Sequence, residues 1–531
     1  MKNTQSLLAL AALLAVCAGC TPRPPATAYH RDESHAFTDT GSTELGRMYG
    51  KQAVSHPGAS GFHIINSGLS ALMTRVMLVD KAQRSIDMQY YTSRDDKTGQ
   101  LLFEAVERAA ARGVRVRILL DDWYLDDFKK GAVAIDAHPN IDIRIFNPYS
   151  TREQSVFDRI GHAPSYLSDY DRRMHNKGFI VDNQVAVMGG RNLGDEYFDT
   201  GAELNLRDID LFTTGPVVGE LSTSFDRYWN SDEAYPLSAL NLPAPTKASV
   251  IAVDKELHDH WNAMLSSPDG LELRSMPLPY KVRDGSVTLD WAPAMLVADK
   301  PEKVNTPPEQ AASAPANQIE RLASRAQHEF TFITPYFVPM DTGVQWLSSL
   351  VARGVHVRIV TNSLSSTDMV PAQSGYDRYR EDLVKDGVEL YEVKSVPPKS
   401  PSRKMLTPSA SNGLHAKVYM IDRRYLVIGS FNFDQRSLKL NTEQALVIDS
   451  EALCQRITKL FDELSSPDQS YRVILASNVP EAQKPTLNMG ALAWVTREDG
   501  QVKYFDFNPH AGFLRRVTSG FFSLLPFDKE L

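Results

Sequence analysis

The sequence predicts an α/β protein of two tandem, pseudo-symmetric lobes, each a mixed β-sheet flanked by helices, with one active site at the lobe interface. Three observations predict it. His175-Asn-Lys177-Gly-Phe-Ile-Val-Asp182 recurs 240 residues later as His415-Ala-Lys417-Val-Tyr-Met-Ile-Asp422. Each copy is followed by two small residues and an asparagine, in Gly189-Gly190-Arg191-Asn192 and Gly429-Ser430-Phe431-Asn432. Upstream, Arg112-Gly-Val-Arg-Val-Arg-Ile-Leu-Leu-Asp121 is matched by Arg353-Gly-Val-His-Val-Arg-Ile-Val-Thr-Asn362, starting 63 and 62 residues before the respective histidine. A repeat of this length reads as one ancestral unit used twice.

The elements follow in chain order. Residues 1–19 read as a lipoprotein-type signal peptide: Lys2 precedes an apolar run, Leu7 to Ala18, too short to cross a bilayer but suited to a secretory signal. Ala18-Gly19-Cys20 resembles the end of a bacterial lipobox, with Cys17 where leucine is usual, and the resemblance implies acylation of Cys20. Thr21 in place of an aspartate implies sorting to the outer membrane, facing the periplasm of a Gram-negative bacterium. Residues 20–59 are then a tether, with prolines and alanines over Thr21–Ala28, and an N-terminal extension. Cys454 is the one cysteine beyond the leader, so the body has no disulfide framework and no cysteine zinc cluster.

Lobe 1 is predicted over 60–235 and lobe 2 over 316–475. Each opens with a strand ending in aromatics, Ile86–Tyr91 and Phe330–Tyr336. An amphipathic helix follows, Gly99–Ala111 and Gly343–Ala352, and then the repeated strand. In the motifs, a period of two puts His175, Lys177, Phe179 and Val181 on one strand face, and His415, Lys417, Tyr419 and Ile421 likewise. Asp182-Asn183 and Asp422-Arg423 sit at turns before return strands Val185–Met188 and Leu426–Ile428. Asp182 and Asp422 have the opposite parity from the His-Lys pairs, so structural roles are expected for them. Residues 236–315 form a bridge with proline-rich ends, Leu242-Pro-Ala-Pro245 and Pro301 to Pro315, the second reading as an exposed loop or linker. In the extension 476–531, the run Gly512 to Phe527 joins large apolar residues to Arg515 and Arg516. It suits packing on lobe 2 or a membrane interface.

Composition narrows the function. At 42% hydrophobic and 23% charged the chain is an ordinary globular protein, and 531 residues exceed one hydrophobic core. A formal net charge of −8 argues against a non-specific nucleic-acid binder, which needs basic surface to displace counterions.

Phosphodiester cleavage without a metal or other cofactor needs a nucleophile, a proton for the leaving alcohol, and positive charge around the phosphoryl oxygens. Two imidazoles, with intrinsic pKa about 6.5, can serve as nucleophile and as acid/base. Lys177, Lys417, Asn192 and Asn432 can hold the oxygens as charge develops. The residues alone do not decide which histidine attacks.

HxKxxxxD followed by G[GS]xN, present twice, resembles the phospholipase D superfamily. The second copy adds Asp434, Arg436-Ser437, Asn441 and Glu443, as in its lipid-active members. Gln89-Tyr90-Tyr91, Asp95, Gly99 and Phe146-Asn-Pro148 are similar to bacterial cardiolipin synthases, and Arg172-Arg173-Met174 with Gly189-Gly190-Arg191-Asn192 most resemble the subgroup that pairs two different phospholipids. Trp291, Asp299, Pro301 and Lys303 in the bridge resemble a segment of the same subgroup. The resemblance implies His175 as nucleophile and His415 as acid/base. In the family a carboxylate some 30 residues after the histidine accepts the imidazole's second N–H. That role passes to Glu443, 28 residues after His415, and Asp208, 33 after His175. The implied activity is phosphatidyl transfer through a phosphohistidine to phosphatidylglycerol, with phosphatidylethanolamine a further substrate, at a membrane surface and without nucleic acid. Hydrolysis to phosphatidic acid, a secreted phosphodiesterase or nuclease, and a non-enzymatic lipid-binding lipoprotein are the alternatives. Both half-sites lie in one chain, so a monomer suffices for catalysis.

Overall fold

The computed structural model describes residues 29, 31–149, 172–240, 242–395, 411–486 and 490–523. The signal peptide, Cys20 and Thr21–Ala28 lie outside the described residues, as do positions 524–531. The first half supplies β1 (Ser60–Ile65), β2 (Ser85–Tyr90), β3 (Arg115–Asp121), β4 (Ile141–Phe146) and β5 (Gly178–Val181). It continues with β6 (Val185–Gly189), β7 (Leu204–Arg207), β8 (Asp210–Thr214), β9 (Ala234–Pro236) and β10 (Asp290–Ala292). The second half supplies β11 (Ala294–Ala298), β12 (Glu329–Ile333), β13 (His356–Asn362), β14 (Glu389–Val393), β15 (Ser411–Leu414) and β16 (Val418–Ile421). It ends with β17 (Tyr425–Gly429), β18 (Gln444–Asp449), β19 (Ser470–Leu475), β20 (Leu492–Glu498) and β21 (Gln501–Phe505).

Two large mixed sheets result, ordered β10-β1-β8-β6-β5-β2-β3-β4-β9 and β11-β18-β17-β16-β12-β13-β14-β19-β20-β21. The runs β8 to β4 and β18 to β14 correspond strand for strand. In each, three strands are parallel and the motif hairpin joins antiparallel. Helices α1 (Gly68–Lys81) and α2 (Lys97–Ala111) cover the outer face of lobe 1, and α3 (Pro216–Trp229) lies on its inner side.

The repeat has a local cause. Asp96 caps α2 by accepting from the Gly99 amide at 3.0 Å, so the helix starts two residues before the sequence-based start at Gly99. Its far end closes at Gly113, φ 92°, with Gly113 N–H on Ala110 O and Val114 N–H on Ala109 O. Gly354, φ 88°, closes the matching helix in lobe 2 in the same way. These turns consume Arg112 to Val114 and Arg353 to Val355, so β3 and β13 start three residues later than the repeat suggests. The motif hairpins turn through two left-handed residues each, Asp182 and Asn183, then Asp422 and Arg423. Bonds from Gln184 N–H to Val181 O and from Arg424 N–H to Ile421 O close them.

The bridge is more structured than a linker. Helices α4 (Lys247–Ser266), α5 (Pro268–Ser275) and α6 (Pro277–Arg283) bury Leu257, Leu273 and Val282 in the outer core of lobe 1. Then β10 joins the first sheet and β11 the second, so a short stretch borders both. Within Pro301 to Pro315 the exposed-loop expectation is corrected at its start. Pro301, Lys303 and Val304 are buried in a 3₁₀ turn, because Lys303 pairs with Asp299 at 2.8 Å and donates to Ser437 O. Only Pro307, Glu309, Gln310 and Ala312 of this stretch are exposed beyond it.

In lobe 2, α7 (Met340–Ala352), α8 (Val370–Asp377) and α9 (Glu451–Leu464) complete the layers. The sheet runs on past residue 475, since β20 of the C-terminal extension pairs with β19 and β21 with β20. A central apolar cluster joins the lobes, with Met174, Ile180 and Phe225 from one and Val393, Leu414 and Phe461 from the other. Burying that shared face fixes the lobes against each other. Among the described residues no helix is long and apolar enough to cross a membrane.

Candidate active site

The site is assembled by two short backbone pairings across the lobe interface. β7 of lobe 1 runs parallel to β15 of lobe 2, with Arg207 beside Leu414. Met174 bridges Thr442 in the same sense. His415 N–H donates to Arg207 O at 2.8 Å, and His175 N–H to Thr442 O at 2.9 Å. Asp208 follows Arg207 and Glu443 follows Thr442, so each carboxylate arrives under the imidazole of the opposite lobe. Nδ1 of His175 lies 3.0 Å from both oxygens of Glu443, and Nδ1 of His415 lies 2.6 Å from Asp208 Oδ2. Sequence spacing measured each carboxylate from the histidine of its own lobe; the pairs instead cross. In each pair Nδ1–H donates to the carboxylate, leaving Nε2 for chemistry.

This cross-pairing also explains a departure from the expected strands. β5 and β16 begin at Gly178 and Val418, after the His and Lys, because residues 174–177 and the stretch at 415–417 turn from their own sheets toward the interface. Lys177 Nζ donates to His175 O at 2.6 Å and Lys417 Nζ to His415 O at 2.5 Å, so each ammonium folds back beside its histidine. Asn192 Oδ1 accepts from Thr92 N–H and its Nδ2 donates to the Tyr197 hydroxyl at 3.1 Å. Asn432 donates its backbone N–H to Ser437 Oγ, while its buried Oδ1 has no hydrogen-bond partner among the described residues. All eight of His175, Lys177, Asn192, Asp208, His415, Lys417, Asn432 and Glu443 are buried together.

The small-residue pair before each asparagine lies against a carboxylate. A Cβ at Gly190 would stand 2.4 Å from Asp208 Oδ1, so only glycine fits. Ser430, its counterpart, hydrogen bonds through its hydroxyl to Glu443 Oε2 and receives the Gln444 amide at 3.0 Å. Asp299 of the bridge accepts the Glu443 amide at 3.0 Å. The two half-sites are therefore alike in backbone and unlike in what surrounds each carboxylate.

The two carboxylates also differ in charge. Burial drives Glu443 up to about 7, only partly opposed by Lys177 and Ser430. Burial also raises Asp208, but its hydrogen bond to His415, that ring's charge, Lys417 and Arg191 outweigh it and hold the carboxyl at about 2. Burial, with Lys177 and Lys417 nearby, drives His175 well below its ordinary value. Burial and Lys417 lower His415 to about 4, against the pull of Asp208. Burial lowers both lysines, Lys417 to about 8. An anionic phosphoryl group beside these four bases would oppose every one of those downward shifts.

Asp182 and Asp422 stand elsewhere. Asp182 accepts from the amides of Gln83, Arg84 and Ser85, at 2.7 Å for Arg84. Asp422 takes Gln327, His328 and Glu329 in the same way, at 2.8 Å for His328. Each carboxylate fastens the chain entering the strand next to the motif. The structure adds residues that the motif does not name. Tyr91 stands edge-on to His175 at 5.1 Å, Tyr197 edge-on to His415 at 5.1 Å, and Tyr336 also edge-on to His415, at 6.4 Å. Strand-ending aromatics are the sequence signal for Tyr91 and Tyr336, joined at Tyr91 by the family resemblance of Gln89-Tyr90-Tyr91; Tyr197 lies on a 3₁₀ turn with no periodicity to mark it.

Comparison with known proteins shows the family. The family model described as "Cardiolipin synthase, PLD-like domain" matches residues 76–229 and 319–465, one segment in each lobe. Cardiolipin synthase C of Escherichia coli (strain K12) is 36% identical over 477 residues, covering 89% of this chain and 96% of that protein. A cardiolipin synthase of Clostridium perfringens (strain SM101 / Type A) is 23% identical over 391 residues, covering 72% of this chain and 66% of that one. The crystal structure of phosphatidylserine synthase from Haemophilus influenzae Rd KW20 shares the fold, with TM-score 0.50 and 14% identity over 84% of this chain and 96% of that chain. The chain belongs to the cardiolipin synthase-type, phospholipase D-like family of enzymes.

Proposed function

We propose that this protein is a phosphatidyltransferase that forms cardiolipin from phospholipids through a phosphohistidine on His175. The observation that carries the reading is the pair of crossed imidazole–carboxylate contacts, Glu443 on His175 and Asp208 on His415. Nε2 of neutral His175 attacks the phosphorus of the donor lipid, and the bond from phosphorus to the head-group oxygen breaks. His415 gives its Nε2 proton to that oxygen, so glycerol or ethanolamine leaves as the alcohol. His415 then takes the proton from the acceptor hydroxyl of phosphatidylglycerol, whose oxygen displaces His175 from phosphorus. Lys177, Lys417, Asn192 and Asn432 hold the phosphoryl oxygens in both steps.

The assignment of roles follows from the two environments. Burial and the two lysines hold His175 neutral, which suits a nucleophile. His415 sits on an ionised carboxylate, which favours its protonated form once an anion is bound. The lipid class rests on the cardiolipin synthase relatives and on the export reading, in which Cys20 carries acyl chains and places the body at a membrane. Lipid mass spectrometry after incubation of purified protein with phosphatidylglycerol, with and without phosphatidylethanolamine, tests the proposal. Cardiolipin is the expected product. Phosphatidic acid alone would make water the acceptor, and no product from either lipid would refute the lipid reading.

A further inference from the structure

The last described helix, α10 (Phe513–Ser523), is attached to the body the wrong way round for a helix held by hydrophobic burial. It packs against α8. Its inward contacts are polar: the hydroxyls of Ser519 and Ser374 meet at 3.1 Å, and Arg378 donates to Ser523 O at 2.6 Å. Arg515 Nη1 donates to Leu364 O at 3.0 Å and Thr367 O at 2.8 Å. Phe522 is half-buried, but the other large apolar side chains point out. Phe513, Leu514, Val517 and Phe521 are 74, 78, 53 and 60% exposed and, at helical spacing, form a single stripe. Phe507 and Met369 extend it on either side, each at least 40% exposed. A contiguous apolar stripe exposed in this way marks an interaction surface.

The same helix is linked to the active site. The loop that Arg515 holds carries Asp368, which is itself exposed. Asp368 Oδ2 accepts from the Tyr336 hydroxyl at 2.8 Å, and the Tyr336 ring stands edge-on to His415. Exposed Asp368 and buried His415 are thus one side chain apart, and the loop that Arg515 holds links the outer stripe to the site.

We infer that α10 is an interfacial docking helix, whose stripe of Phe513, Leu514, Val517 and Phe521 inserts into the surface of a bilayer containing anionic phospholipid. Aromatic and aliphatic residues on one face with Arg515 and Arg516 at its border match the apolar and charged layers of that surface. The inference rests on the phospholipid reading of the site. A substrate whose head group enters a buried cleft keeps its acyl chains in an apolar phase, and the stripe holds the loop beside the site against that phase.

The test uses the full chain carrying Cys20→Ala, so that no acyl anchor contributes, and the same chain with Leu514→Glu and Phe521→Glu added. Co-sedimentation with phosphatidylglycerol/phosphatidylethanolamine vesicles reads docking, and a short-chain monomeric phosphatidylglycerol reads the chemistry apart from docking. The charged variant is expected to bind vesicles at least tenfold more weakly, with unchanged Tm and with monomer turnover within twofold. Equal vesicle binding by the two proteins would overturn the inference. So would sedimentation velocity showing a dimer that the substitutions split, because the stripe would then belong to a second copy. Loss of monomer turnover in both proteins would refute the phosphatidyl-transfer reading, while vesicle sedimentation would still decide the docking.

Discussion

Each imidazole in this site answers to a carboxylate from the other lobe, and the two carboxylates have different surroundings. Ser430 gives Glu443 a hydroxyl, whereas Gly190 gives Asp208 only room. Glu443 sits near 7 and Lys417 near 8, and both must be ionised for the proposed chemistry. Glu443 gains its charge as pH rises through about 7, and Lys417 loses its charge as pH rises through about 8. With the bound phosphoryl anion keeping His415 protonated across this range, the pH profile of kcat is expected to climb as Glu443 ionises and to fall as Lys417 loses its proton. Glu443→Gln removes the carboxylate that orients His175 Nδ1–H, so turnover should drop about 100-fold or more and the acidic limb should vanish. An acidic limb that persists in Glu443→Gln would show that another group controls it.

At the scale of elements, the aspartates of the two motifs act on the backbone. Asp182 is fully buried and receives three consecutive amides, while Asp422 receives its three at a partly open turn. Removing Asp182 leaves buried donors without a partner, which costs about 1–3 kcal/mol. Water reaches the amides around Asp422. Asp182→Ala is thus expected to lower Tm clearly more than Asp422→Ala, with kcat of the folded protein nearly unchanged in both. Loss of kcat at unchanged Tm in Asp182→Ala would assign that residue to the chemistry. The parity argument separated these aspartates from the His-Lys pairs without coordinates, because a period of two is a property of the chain alone. The helix ends at Ala111 and Ala352 were also legible, although the helix starts were not. The crossed pairing was not. It depends on Leu414 meeting Arg207 and Met174 meeting Thr442, contacts between residues more than 200 positions apart that no local pattern encodes.

At the scale of the molecule, duplication places two half-sites on one central apolar cluster, so that neither lobe holds a complete imidazole–carboxylate pair. The repeated motif made this twofold plan readable from the sequence. The bridge was misread in part, because prolines that suggest a loop also start turns and helices; here a buried ion pair, Lys303 with Asp299, folds the segment onto the second half-site. Asp299 thereby fixes Glu443, and the bridge helps form the site as well as linking its halves. Because both pairs occupy one interface, one chain has one reaction centre and should carry one phosphoryl group at a time. Rapid quench of the wild-type enzyme with phosphorus-labelled lipid, followed by peptide mapping, tests this most directly. A transient label is predicted, no more than one per chain and all on His175. Label on His415, label on both rings of one chain, or no covalent label at all would contradict the account.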